Sequence, residues 1–197
     1  MTNFEDYQKE KLTINLIWAN VFGVLITIPI FLLFGIPYFL VWAYQFHPDN
    51  LRAIISNITP NFIFVQTIIA FVLFLVGIVL HELIHGITWS RFAEKGFESI
   101  KFGVLWKMIT PYCHCKEPLK VSQYILGAIM PSIILGVIPG IVAILIGNFG
   151  LLIFAVFFTM AGAGDFLIIN LLKKENKDDL VLDHPSEAGC YIYRKGK

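Results

Sequence analysis

The chain of 197 residues is 57% hydrophobic and 15% charged, with a mean hydropathy of +0.73. A soluble domain has roughly half its residues apolar and roughly a quarter charged, so the excess predicts an all-α integral membrane protein, one polytopic domain over residues 1–197. A net charge of +1, with no basic tract and no aromatic–basic interleaving, excludes a nucleic-acid partner.

The N-terminal "MTNFEDYQKEK" mixes acids and bases, and an uncharged run follows from Leu12 to Phe46. That run far exceeds a signal-peptide core of about 7–15 residues and reads as a retained anchor. No lipidation motif lies near either end. Pro29 and Pro37 mark where the anchor would kink or break. Further apolar stretches occupy 61–90, 122–146 and 149–172, the last two joined by a tight turn at Gly147-Asn148-Phe149-Gly150. Each exceeds the roughly 20 residues a spanning helix needs. About four transmembrane helices are therefore expected, near 12–46, 61–90, 122–146 and 149–172, with a tail over 173–197.

With four crossings, the N-terminus, the loop from Arg91 to Val121 and the tail share one side. That side holds every Lys and Arg of the chain except Arg52. The asymmetry predicts a multi-pass protein of the cell membrane with both termini cytoplasmic. Cys113, Cys115 and Cys190 fall on the same side, where thiols stay reduced. Free thiols are the simplest reading, since "CHC" is tighter than the usual zinc pair.

In that loop "SIKFGVLWKMITPY" alternates: Ile100, Phe102, Val104, Trp106 and Met108 point one way, interrupted by Leu105. This predicts a short β-like segment between helices 2 and 3, with Trp106 suited to the interface; an aromatic-anchored loop is the alternative. A strand edge there would hold an unwound substrate extended by β-augmentation.

The second stretch carries "IVLHELIHGITW". Ionisable groups at membrane depth cost a few kcal/mol each and mark function. His81 and His85, four apart, share a helix face, and H-E-x-x-H on a helix is a zinc-binding arrangement with Glu82 as general base. A third ligand is needed. Asp165, among Ala161, Gly162, Ala163 and Gly164, is the other acid within the apolar stretches. It lies eight positions before Lys173, and His81 lies ten before Arg91. At about 1.5 Å per residue both sit at similar depth below the same surface. Asp165 could be a ligand or could support a histidine, and His114 in "PYCHCKEPL" competes for the role, as do Cys113 and Cys115, although Lys116, Glu117 and Lys120 favour a solvated position. His47 and His184 read as solvated loop histidines.

These residues resemble the site-2-protease class of intramembrane zinc metalloproteases and, more narrowly, a family of small bacterial membrane zincin peptidases. "HELIHG" matches the first motif, "SIKFG" and "ITPYCHCKEPL" the β segment, "GAIMPS" a Gly-x-x-x-Pro helix start, and "GAGDF" the position of the last ligand. The resemblance implies Zn²⁺ held by His81, His85 and Asp165, catalysis by Glu82, and a membrane-embedded or membrane-proximal peptide substrate cut near the cytoplasmic face. A divalent-metal transporter or sensor, or a non-catalytic scaffold, are the alternatives. The sequence does not specify the substrate or the oligomeric state.

Overall fold

The computed structural model describes residues 7–106, 110–184 and 188–196. The chain is mostly helical, with three helices long and apolar enough to cross a membrane and a bent pair that would make a fourth. Two small sheets accompany the helices, so the expected all-α architecture is corrected at one end of the molecule.

Strand β1 (Tyr7–Thr13) precedes α1 (Leu16–Trp42). The first helix therefore starts after position 12, because the preceding residues pair with a strand from the far end of the chain. Asn15 starts α1 by accepting from the amides of Ile17 at 2.9 Å and Trp18 at 3.2 Å. Pro29 and Pro37 lie inside α1 and do not break it. The helix continues through both prolines, and Ile30, Phe34 and Tyr38 anchor it against Ala143 and Leu152. A short helix, α2 (Pro48–Ser56), carries Arg52 before α3 (Pro60–Ser90) begins behind the Thr59 cap. The outward face of α3 is apolar, with Phe64, Phe71 and Val79 each more than 60% exposed.

After α3 come β2 (Ile100–Leu105) and β3 (Thr110–Cys115), an antiparallel pair in which Lys101 faces His114 and Gly103 faces Tyr112. The expected strand is thus a hairpin; Met108, in the predicted alternation, lies outside the described residues. The hairpin runs along α3. At its base, a Cβ on Gly86 would meet Phe102 at 2.6 Å, while Val104 and Pro111 lie beside Ile78 and Val79.

The third apolar helix is α4 (Val121–Pro131), a π-helical segment (Ser132–Val137) and α5 (Ile138–Ile146). Gly147, at φ +70°, ends it in the left-handed conformation, and Asn148 caps α6 (Phe149–Ala161). At Gly162 the chain bends by 42° into α7 (Ala163–Leu172). A Cβ on Gly162 would lie 2.1 Å from Ser132 Oγ, so the bend is packed directly against the π-helical segment.

The two-residue β4 (Leu119–Lys120), β5 (Leu180–Asp183) and β6 (Gly189–Lys195) join β1 in a sheet of order β1-β6-β5-β4. The N-terminal segment, the loop before α4 and the tail therefore meet at one end of the helices. Arg194 on β6 binds Glu175 through two hydrogen bonds of 2.7 and 2.9 Å and also pairs with Glu10 on β1. Beneath the sheet, Trp89, Leu119, Tyr124, Leu172, Val181 and Ile192 form a buried core. All three cysteines are buried and unbridged in it.

Candidate metal centre

His81 and His85 occupy the buried face of α3, at 7% and 4% exposure. Their rings lie 4.9 Å apart, as two residues one turn apart on a helix must. The bend at Gly162 turns the first turn of α7 towards them. Asp165 Oδ2 lies 3.3 Å from His81 Nε2, and Asp165 Oδ1 lies 3.4 Å from His85 Nε2. Among the described residues this is the one group of His, Cys and acidic side chains gathered closely enough for a metal ion, with candidate ligand atoms within 4.8 Å of one another.

The orientation of His85 is fixed from behind. Its Nδ1 is 2.9 Å from the Gly127 carbonyl, to which it can only donate. In the neutral ring Nε2 then carries a lone pair, aimed at a carboxylate oxygen. Two acceptors facing each other across 3.4 Å need a proton or a cation between them, and two imidazoles with one carboxylate are a zinc donor set. His81 Nδ1 is buried without a hydrogen-bond partner among the described residues. The residues present fit a bound zinc ion.

Packing holds that geometry. His85 stacks on Trp89 with ring centroids 5.0 Å apart, Trp89 stacks on Tyr124, and Trp89 Nε1 donates to the Tyr124 carbonyl at 3.0 Å. Gly127 admits this arrangement, since a Cβ there would fall 2.0 Å from Trp89 Nε1.

The group opens into a cavity of about 310 Å³ lined by Glu82, Tyr112, Cys113, His114 and Asp183, among others. Glu82 is half-buried, next to His81 but off the ligand face. Strand β3 borders the cavity with an open edge. Cys115 N–H points away from β2 and donates to Asp183 Oδ2 at 2.8 Å. Backbone groups alternate along a strand, so those of Cys113 also face away from β2.

The structure brings Asp165 to the histidines and leaves His114 on the cavity wall, half-buried rather than solvated. Burial lowers the His114 imidazole below its usual range. His47 is exposed as expected, but His184 is buried against Tyr191, which corrects the solvated reading. Two cavity residues had no sequence signal. Asp183 sits in a polar tail where an acid looks solvated, and Tyr124 looks like one more apolar-helix aromatic. In the fold, the Tyr124 hydroxyl donates to Asp183 Oδ1. Burial pushes the Asp183 carboxyl above its usual range, with this hydroxyl and His114 acting the other way.

A family model described as "Putative zincin peptidase" matches residues 74–180. The chain belongs to this family. The matched span runs from the second half of α3 through the hairpin, α4 and α7 to the first residue of β5, and contains His81, Glu82, His85 and Asp165. No curated protein and no solved structure matches the chain.

Proposed function

We propose that this protein is an intramembrane zinc metalloendopeptidase that cuts membrane-embedded or membrane-proximal peptides near the cytoplasmic face. The observation that carries the reading is the convergence of His81 Nε2, His85 Nε2 and the Asp165 carboxylate beside Glu82. These three side chains would hold the ion, with the Gly127 carbonyl fixing the His85 tautomer. A zinc ion there supplies Lewis acidity, acidifying water and polarising a carbonyl.

Glu82 takes a proton from the attacking water as its oxygen adds to the scissile carbonyl carbon. When the C–N bond breaks, the Glu82 carboxyl returns that proton to the departing amine. A helical substrate hides its carbonyls in hydrogen bonds, so the substrate must be extended. The open edge of β3 at Cys113 offers the backbone donor and acceptor for an added strand.

The membrane setting is supported by the apolar outer faces of α1 and α3 and by three helices, or four with the bent pair counted as one, long and apolar enough to cross. The end carrying the four-stranded sheet collects the basic segments of the chain, which favours the cytoplasm for both termini. The hairpin beside Ile78 would then dip into the bilayer with Trp106 beyond its β2 end.

Glu82→Gln tests the reading. In purified full-length protein it should keep zinc and lose cleavage of a reporter peptide that the wild type cuts in a zinc-dependent manner. Cleavage retained by Glu82→Gln would refute the mechanism.

A further inference from the structure

Beside the metal centre lies a second cavity, of about 540 Å³, between the hairpin and the four-stranded sheet. Its lining includes Lys9 from β1, Lys101 from β2 and Lys116 just after β3. It meets the first cavity through His114 and Asp183, which line both.

Among the described residues the charge lining this second cavity is unbalanced. Lys9 lies over the Tyr191 ring at 3.8 Å, and Lys116 Nζ reaches only the Glu98 backbone carbonyl, at 3.4 Å. None of the three lysines has a carboxylate partner among the described residues. Two other cations on the four-stranded sheet are matched by carboxylates: Lys120 with Asp178 at 2.7 Å, and Arg194 with Glu10 and Glu175. The one carboxylate lining the cavity, Asp183, is already engaged by the Tyr124 hydroxyl and Cys115 N–H.

We propose that this cavity binds acidic side chains of the peptide substrate, on the side of the scissile bond that leaves along the base of the hairpin. The inference rests on reading the neighbouring cavity as a peptidase site. A strand added to the β3 edge at Cys113 cannot continue past Cys115, because Asp183 occupies that amide. It must turn out of the edge there, beside Lys101 and Lys116. The two cavities share His114 and Asp183, so a carboxylate a few residues from the scissile bond enters the second. Ammonium groups with no carboxylate partner among the described residues, set in a concave wall, favour such a ligand and raise its encounter rate. The specificity of the enzyme would then be for an apolar segment flanked by an acidic one.

Binding can be measured without turnover. The full chain carrying Glu82→Gln, in phosphatidylcholine nanodiscs, is titrated with two fluorescein-labelled peptides sharing one apolar segment, one flanked at both ends by Asp-Glu-Asp and the other by Asn-Gln-Asn. The acidic peptide should bind about tenfold more tightly, and added salt should narrow the gap. Lys9→Gln, Lys101→Gln and Lys116→Gln together should erase the preference, and replacement of the same three by Glu should transfer it to a peptide flanked at both ends by three lysines. Equal binding of the first two peptides, or a preference that survives the triple Gln variant, overturns the site. So does a triple variant whose only defect appears with phosphatidylglycerol in the nanodisc, which would make the lysines a lipid contact. Wild-type cleavage is scored separately. An acidic preference without zinc-dependent cleavage would refute the peptidase reading and leave the anion site standing; cleavage indifferent to the acidic segment would do the reverse.

Discussion

His85 and Gly127 are joined by a 2.9 Å hydrogen bond from the imidazole Nδ1 to the backbone carbonyl, and the same glycine lets Trp89 stack behind the ring. One residue on α4 therefore fixes both the tautomer and the angle of a side chain on α3. Gly127→Ala should drive Trp89 off its position, costing about 1–3 kcal/mol of stability. Zinc affinity should fall about 10–100-fold through the misaligned His85. Thermal unfolding and competition with a zinc chelator measure the two effects. An alanine variant with wild-type zinc affinity would remove Gly127 from the supporting framework.

The ligand set predicts a pattern of zinc contents. Wild-type protein should carry one zinc per chain. His81→Ala and Asp165→Ala should lose most of it, and His114→Ala should keep it, since His114 stands on the cavity wall outside the converging group. Elemental analysis of the purified variants decides the matter. Zinc that persists without Asp165 but falls without His114 would mean the third ligand has been misassigned.

Arg194 ties β6 to β1 and to the segment after α7. Its hydrogen bonds hold the Glu175 carboxyl below the usual glutamate range. A carboxyl depressed in the folded state adds stability above its unfolded value, near 4.5, and that stability is lost as pH falls through the folded value. Melting temperature should thus drop on acidification from about pH 5 downwards, and Arg194→Gln should shallow the drop. An unchanged slope in the variant would show that the pair contributes nothing to acid sensitivity.

Cys115 and Cys190 are buried, and burial pushes their thiols up to about 11 and about 12 respectively. The thiolate is the reactive form, so both should resist maleimide at neutral pH in the folded protein and react after denaturation. Mass spectrometry counts the adducts. Rapid labelling of either residue in the native state would contradict the packing described.

Much of the site could be read in advance because its signals are local or costly. The spacing of His81 and His85 is a one-turn feature, and Asp165 stands out in an apolar segment that has every physical reason to avoid a charge. Their similar spacing from the basic flanks at Arg91 and Lys173 is a further local signal that agrees with their contact. The features that escaped notice are those that tertiary structure makes. Tyr7–Thr13 has no reason to be a strand until Gly189–Lys195 lies beside it. Asp183 and His184 look solvated in a tail and become buried or half-buried only when β5 and β6 fold over α4. Pro29 and Pro37 mislead for the opposite reason: the rule that proline breaks a helix is local, and the packing of Ile30, Phe34 and Tyr38 carries α1 through both positions.

The pairing of Tyr7 with Lys195 also sets an order of events. However early the helices form, β1 cannot pair with β6 until all of the chain between them has been made. Asp183, which fixes the Cys115 end of the β3 edge, belongs to that same late sheet. The groove where a peptide would be stretched is therefore completed after the helices, and an unfinished chain holds its histidines before it holds the means to present a substrate to them.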